Sequence, residues 1–402
     1  MPEPWRLPRT TPLAAAAALV VWACGDAGAG ATWAGTVDTL PSGVIVARNP
    51  ATPVLDIAHG WRLEETLRIG ALEGDGPDVF SDVRDVAVGE RGRIYVLQRQ
   101  AASVHVFDSA GRFLYAAGRA GEGPGELRAP TGIALDPEGR LWVADVGRRL
   151  FLAYDSAGAP LEQHRRKVGS YRGVWGGRFL ADGRLVEPFA AVWRSDGVGG
   201  HAVLRFDSTF AARDTLLFRP DPPDEDEGTF VFRDGRARAA INVAIPFHPT
   251  PTADIAPNGD LWSGEGADYR LVQRRLDGDT LRIVTREYEP VPVVDEDLAD
   301  FRERVKRYGT PDESRIPKVK PAVSDVTVAA DGTLWVRLHR PYGETGAVFD
   351  VFDRDGRYLT QVRAPVDLAL HPPPVIRDGA LYGVARTELD VPQVVRLRIV
   401  RP

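Results

Sequence analysis

The chain alternates short apolar runs with turns bearing glycine and aspartate, and this pattern repeats. Asp85-Val86-Ala87-Val88, Gly92-Arg93-Ile94-Tyr95-Val96 and Phe107-Asp108-Ser109-Ala110-Gly111 return, displaced by 47 residues without a gap, as Gly132-Ile133-Ala134-Leu135, Gly139-Arg140-Leu141-Trp142-Val143 and Tyr154-Asp155-Ser156-Ala157-Gly158. The kernel, a turn glycine and one more residue before Leu/Ile-aromatic-Val, recurs at Gly183-Arg184-Leu185-Val186, Gly259-Asp260-Leu261-Trp262, Gly332-Thr333-Leu334-Trp335-Val336 and Gly379-Ala380-Leu381-Tyr382, six copies in all. The third is the weakest, with Val186 where the others carry an aromatic ring. Apolar runs split by such turns predict successive β-hairpins. Four strands in a unit of ~45 residues make one blade of a β-propeller. The strand after each turn glycine is apolar throughout, as a strand covered on both faces must be. Tyr95, Trp142, Trp262, Trp335 and Tyr382 share one repeat position and are predicted to fill the seams between blades, each burying ~150–250 Å².

Counting strands predicts how the ring closes. The sixth unit ends on Val394–Ile399, its third strand, and a blade left with an open edge invites aggregation. The stretch Trp61–Ile69 precedes the same glycine-rich linker that follows the outer strand of the first full blade, so it takes an outer-strand position. The prediction is an all-β fold, a six-bladed β-propeller over residues 61–402 whose N-terminal strand completes the last blade, with one short inserted helix.

Gly123-Pro124-Gly125-Glu126-Leu127, Pro130-Thr131-Gly132-Ile133-Ala134-Leu135-Asp136 and Gly139-Arg140-Leu141-Trp142-Val143-Ala144-Asp145 together resemble an NHL repeat, with Gly147-Arg148-Arg149 matching the arginine-bearing loop. The resemblance is close in this unit, moderate in the first and fifth, and weak elsewhere. It implies the six-bladed fold. It implies no single activity, because such relatives include binding modules, lactonases and a lyase.

Propeller topology then sorts the loops. Turns joining strands a to b and c to d are tight and share one face. The longer b–c and d–a connections share the other, which also receives two insertions, about 220–251 and 290–321. Variable loops on a rigid scaffold are where binding resides. In the second insertion Leu298, Phe301, Val305 and Tyr308 fall on one helical face, with acids leading and bases ending, so a short helix packed on the rim is predicted. In the first, Asp221, Asp224, Glu225, Asp226 and Glu227 read as a solvated loop, since they lack the ligand alternation and turn glycine of a calcium loop. The b–c loops nominate Arg99, Asp145, Arg148, Arg149, Trp193, Arg194, Glu265, His339 and Arg340 as residues facing the axial mouth. Clustered arginine with a tryptophan suits an anionic or sugar-like ligand, and arginines paired to rim carboxylates are the structural alternative.

The chain carries no H-E-x-x-H, Gly-x-Ser-x-Gly or phosphate loop, and no catalytic residue is nominated. Two function classes stay open. One is a non-catalytic module gripping a protein or glycan, with no cofactor. The other is a lactonase-type hydrolase holding a divalent cation at the mouth, against which the scarcity of asparagine (Asn49, Asn242, Asn258) counts, and no metal ligand is nominated. A net charge of -6 with both signs interspersed gives no basic stripe for nucleic acid. Lysine occurs only at Lys167, Lys306, Lys318 and Lys320.

The N-terminus reads as an export signal. Arg6 and Arg9 precede the apolar run Leu13–Trp22, too short to span a bilayer. Val21-Trp22-Ala23-Cys24 resembles a bacterial lipobox, which implies cleavage after residue 23 and lipidation of Cys24, the only cysteine. An ordinary signal cleaved near Ala29 or Ala34 is the alternative. Residues 24–60 read as a tether and N-terminal extension, with the small residues 25–31 as its flexible part. The implied location is the cell envelope, held to a membrane through the lipid alone.

Overall fold

The computed structural model describes residues 32–402 except 57–58, 166–173, 194–198, 221–227, 234–239 and 265. Cys24, the residues around it, and the acidic run 221–227 lie outside the described residues.

Each repeat folds as an antiparallel sheet. Blade 1 comprises Asp85–Val88, Ile94–Gln98, Ser103–Phe107 and Phe113–Ala117, and blade 2 comprises Pro130–Leu135, Leu141–Asp145, Leu150–Tyr154 and Pro160–Arg165. Blade 3 runs Arg178–Phe179, Leu185–Trp193, Gly199–Phe206 and Ala212–Pro220; blade 4 runs Thr252–Ile255, Leu261–Gly264, Arg270–Arg274 and Thr280–Arg286. Blade 5 has Asp325–Val328, Leu334–Arg337, Val348–Phe352 and Tyr358–Arg363. Blade 6 takes Val375–Arg377, Ala380–Arg386 and Pro392–Val400 from the C-terminus, and Arg62–Ile69 completes it, pairing antiparallel with Leu67 opposite Arg396 and Leu63 opposite Ile399. The inner strands touch in a closed ring of six, blade 6 meeting blade 1.

The shared aromatic position forms the seams, as its spacing predicts. Tyr95 is buried among Ile133, Leu141 and Val143 of blade 2, and Trp142 beside Leu185 and Phe206 of blade 3. Trp262 packs on Val326 and Leu334, Trp335 on Ile376 and Leu381, and Tyr382 on Val86 and Ile94. In blade 3 Val186 takes the place against Ile255 and Leu261. The apolar strand b is therefore a requirement of stacking. Near the axis two carboxylates cross to the next blade: Asp85 accepts from the Ile133 amide (2.8 Å) and Asp254 from the Val328 amide (2.8 Å).

The extension ahead of the ring differs from the sequence reading. From Trp33 onward it is bound to the propeller. Thr36–Thr39 and Ile45–Asn49 form a hairpin, and Ile45–Asn49 runs parallel to Thr280–Arg286, which makes blade 4 a six-stranded sheet. The Val54 and Leu55 amides then donate to the Tyr358 and Leu359 carbonyls on the outer strand of blade 5 (3.0 and 2.8 Å). Arg62–Ile69 follows on blade 6. One segment thus lines the outer edges of three consecutive blades and covers backbone that would otherwise stay unpaired.

Asn49 fastens this belt. It is buried, and its Nδ2 donates to the carbonyls of Thr285 (3.1 Å) and Gly356 (2.9 Å). Its Oδ1 accepts from Trp33 Nε1 (2.9 Å) and the Tyr358 amide (2.8 Å). Gly356 has φ +79° and lies so close that a Cβ there would stand 2.4 Å from Val284 Cγ2, so only glycine fits the seam.

Both insertions emerge on the same face and pack on each other. The first contains the hairpin Thr229–Arg233/Ala240–Ala244, the second a 3-10 turn, Asp295–Leu298, running into the helix Ala299–Val305. Phe230 and Ile245 from the first meet Leu298, Phe301, Val305 and Ile316 from the second in a small core of their own. Tyr308, expected on the same stripe, lies 6.0 Å from the Phe232 ring. The helix therefore serves packing, with Arg302 clamped between Asp295 (3.1 Å) and Glu313 (2.8 Å) at its outer side.

Candidate functional site

The insertions stand over one rim of the ring, and two cavities open beneath them. The larger, about 320 Å³, lies between the second insertion and the b–c loop of blade 5. The smaller, about 220 Å³, enters the seam between blades 4 and 5. Lys320, Leu338 and His339 line both.

The shared wall is set by strand geometry. Val291 and Lys318 accept amide protons from Lys320 and Val293 (2.7 and 3.0 Å), so the two ends of the insertion run side by side. This pairing turns the Lys320 side chain inward, where it is buried. Its Nζ donates to Asp297 Oδ1 (2.6 Å) and to the Arg340 carbonyl (2.8 Å), with both members of the ion pair less than a tenth exposed. Removing one member of such a pair strands a buried charge, so the pair holds the insertion's own shape, and the bond to the Arg340 carbonyl ties it to blade 5.

His339 follows strand b of blade 5 and reaches the insertion-bearing face, its ring edge-on to Phe247 at 5.8 Å. Burial, with Lys320 and Arg337 adding repulsion, pushes its pKa down to about 4. At neutral pH it is an uncharged imidazole. Arg337 donates to the Leu368 and Ala369 carbonyls (2.5 and 2.7 Å) and, among the described residues, has no carboxylate within ion-pair distance. Burial lowers its pKa, against the opposing pull of Asp325, its partner across the strand pair. Arg340 pairs with Asp367 (2.7 Å) and donates to the Gly346 carbonyl (3.0 Å). Tyr342 on the same loop is 60% exposed.

The smaller cavity ends on a buried polar cluster. Asp350, with no exposed surface, accepts from Tyr269 Oη (2.7 Å), Tyr358 Oη (2.8 Å) and Gln361 Nε2 (3.0 Å). Arg286 lies between the rings of Tyr358 (4.6 Å) and Tyr269 (5.3 Å). Burial and the Asp350 charge raise both tyrosine pKa values, so neither phenol ionises near neutrality.

Of the nominated residues, the structure brings His339 and Arg340 together on the larger cavity. Arg99, Asp145, Arg148 and Arg149 stand on blades 1 and 2 and line neither cavity. Asp145 is buried and accepts from the amides of Arg128 (2.6 Å), Ala129 (3.1 Å) and Arg148 (3.0 Å). Arg148 donates to the carbonyls of Glu122 and Gly123 (2.8 Å each) and of Glu126. These two hold the loops of blade 2 in shape, the part the family's arginine loop plays here. Arg99 and Arg149 are exposed, and Arg149 adopts φ 56°. Trp193 ends strand b of blade 3, while Arg194 and Glu265 lie outside the described residues. Sequence reasoning passed over Lys320 and Arg337. A lysine in a chain that otherwise uses arginine was the available signal for the first. Among the described residues, no three His, Cys, Asp or Glu side chains converge as a metal set.

Comparisons with known proteins agree with this architecture. Residues 73–168 match the family model described as DUF5128, a 6-bladed beta-propeller. Over 185 residues the chain is 25% identical to NHL repeat-containing protein 3 of Mus musculus, covering 41% of this chain and 49% of that protein. The chain thus spans about half the length of this curated relative. A protein of Bacteroides fragilis described as exported superposes with a TM-score of 0.53 at 12% identity, over 89% of this chain and 100% of the other. A DUF4221 family member from Bacteroides vulgatus gives 0.51 at 12%, over 85% and 98%. Identities this low speak to fold alone. Repeat pattern, ring closure and relatives converge: the chain folds as a six-bladed β-propeller, similar over part of its length to an NHL repeat-containing protein.

Proposed function

We propose that this chain is a cell-envelope binding module that takes a small anionic or sugar-like group, free or displayed on a protein or glycan partner, at the insertion-bearing face. The observation that carries this reading is the larger cavity, where Arg337 and Arg340 converge beside a neutral His339. A partly buried guanidinium whose direct hydrogen bonds go to two carbonyls gains from an incoming anion a charge-assisted bond. The rival reading, a lactonase-type hydrolase, asks for a divalent cation held by carboxylates and asparagine; asparagine is scarce, and among the described residues no three His, Cys, Asp or Glu side chains converge. Export, with a lipid on Cys24, is the localisation that goes with this function. The N-terminal signal pattern supports it, and no described helix is long and apolar enough to cross a membrane.

The test is a melting-temperature screen against small carboxylates, uronic acids and neutral sugars. Acids are expected to raise the transition of the wild type and not of a His339→Ala/Arg340→Ala variant. Ser109→Ala with Ser156→Ala, on the tight-turn face, should respond like the wild type. Shifts that survive the rim variant, or are lost only in the tight-turn variant, place binding on the wrong face.

A further inference from the structure

The two cavities differ in chemistry while sharing a wall. The larger gathers the cations Arg337 and Arg340. The smaller is bounded by Tyr269, Tyr288, Val291, Ala322 and Leu338, with the Tyr269 and Tyr288 rings 5.9 Å apart and inclined at 53°. The two rings pack on each other and, with these aliphatic neighbours, form an apolar wall against which a flat group can lie. Behind these rings Asp350 accepts from Tyr358 and Gln361, and Arg286, 3.4 Å from Asp350, lies against the tyrosine rings with its Nε lacking a hydrogen-bond partner.

We infer that the cavities are two subsites of one pocket, whose ligand is an amphiphilic monoanion of the aryl-carboxylate class. The carboxylate sits toward Arg337 and Arg340, and the ring lies against the Tyr269–Tyr288 wall past His339. The smaller volume alone falls below the range of ordinary ligand pockets and the larger lies at its lower end, while together they fall well within it. The neutral His339 suits the junction, because an imidazolium there would hold the carboxylate short of the guanidinium groups. Lys320, saturated by Asp297 and the Arg340 carbonyl, contributes the fixed partition. This assignment rests on the anion-binding reading above and adds the apolar half.

Three probes separate the parts by calorimetric titration: 3-phenylpropanoate, propanoate and 3-phenylpropanol. The first is expected to bind at least tenfold more tightly than either of the others. Tyr288→Ala should reduce phenylpropanoate to the level of propanoate and leave propanoate unchanged. Arg340→Gln should weaken both acids about tenfold and leave the alcohol unchanged, a pattern that a folding defect does not produce. Equal affinity for the two acids overturns the bipartite pocket and leaves anion binding standing. The same holds if other acids shift the melting transition while phenylpropanoate does not bind. If no acid in either experiment binds, both readings fall.

Discussion

Replacing Asn49 by alanine tests whether the N-terminal belt is structural. The side chain is 4% exposed and makes four hydrogen bonds between 2.8 and 3.1 Å. They join the belt's own Trp33 to blade 4 at Thr285 and blade 5 at Gly356 and Tyr358. Each bond is worth about 1 kcal/mol net, and a partner left buried without water costs more than that. Alanine should therefore cost about 4 kcal/mol, in the upper tail for single substitutions. Asn49→Asp is the informative companion. It keeps both accepting contacts, loses both donors and turns a carboxylate toward two carbonyls, so its loss should shrink at acid pH, where the protonated oxygen can donate. Urea unfolding followed by tryptophan fluorescence reads both, since a change in midpoint without a change in slope reports stability alone. A loss below about 1 kcal/mol for alanine would refute the argument and reduce the belt to a surface covering.

Deletion of residues 24–70 removes the strand that completes blade 6 and should leave an insoluble or unfolded chain. Deletion of 24–40 removes the exposed edge strand Thr36–Thr39 and the Trp33 bond to Asn49 and should keep a cooperative melt, and equal melting of the two would overturn the closure. Stability should carry two opposed pH slopes. His339, pushed down from 6.5 to about 4, leaves the unfolded chain to bind the extra proton as pH falls through that window, so its contribution is lost on acidification. Asp85, which burial pushes up to about 7, is protonated in the folded state where the unfolded carboxylate has ionised, so stability falls as pH rises from 3.8 toward 7. Denaturant midpoints measured across that range should rise with pH in Asp85→Asn and fall in His339→Gln, and parallel curves would contradict both assignments. In a bacterial host, Cys24→Ser should abolish fatty-acid labelling and release the protein from membranes; unchanged fractionation would remove the anchor from the proposal.

What the sequence carried was whatever repeats. The glycine-aromatic kernel marked strand b of every blade, because stacking demands the same residue type at each seam, and the surplus strand at 61–69 followed from counting. The belt was hidden for the opposite reason. Ile45–Asn49 belongs to no repeat, and its parallel partner lies more than two hundred residues away, so neither periodicity nor a nearby turn announces it. The candidate site was half legible. Topology pointed to the insertion-bearing face, and to His339 and Arg340 on it. Asp145 and Arg148 illustrate the limit. A polar loop residue looks the same in sequence whether it faces a ligand or its own backbone, and here three amides and three carbonyls claim the two side chains. Lys320 and Arg337 needed the fold, since insertion and blade meet only in space.

The final strand also sets a schedule. Thr66 and Arg396 are 330 positions apart, yet their side chains bond at 3.0 Å across the last pair of strands. Bringing ends so distant together costs on the order of 5 kcal/mol in chain entropy, recovered only when the whole pairing forms at once. A chain made from its N-terminus presents residues 62–69 long before residues 392–400 exist. During that interval the waiting strand is an open edge, able to pair with another copy. The ring therefore forms last, and a product truncated before residue 392 can stack blades but cannot become a propeller. Completeness of synthesis is in this way written into the fold as a condition of folding.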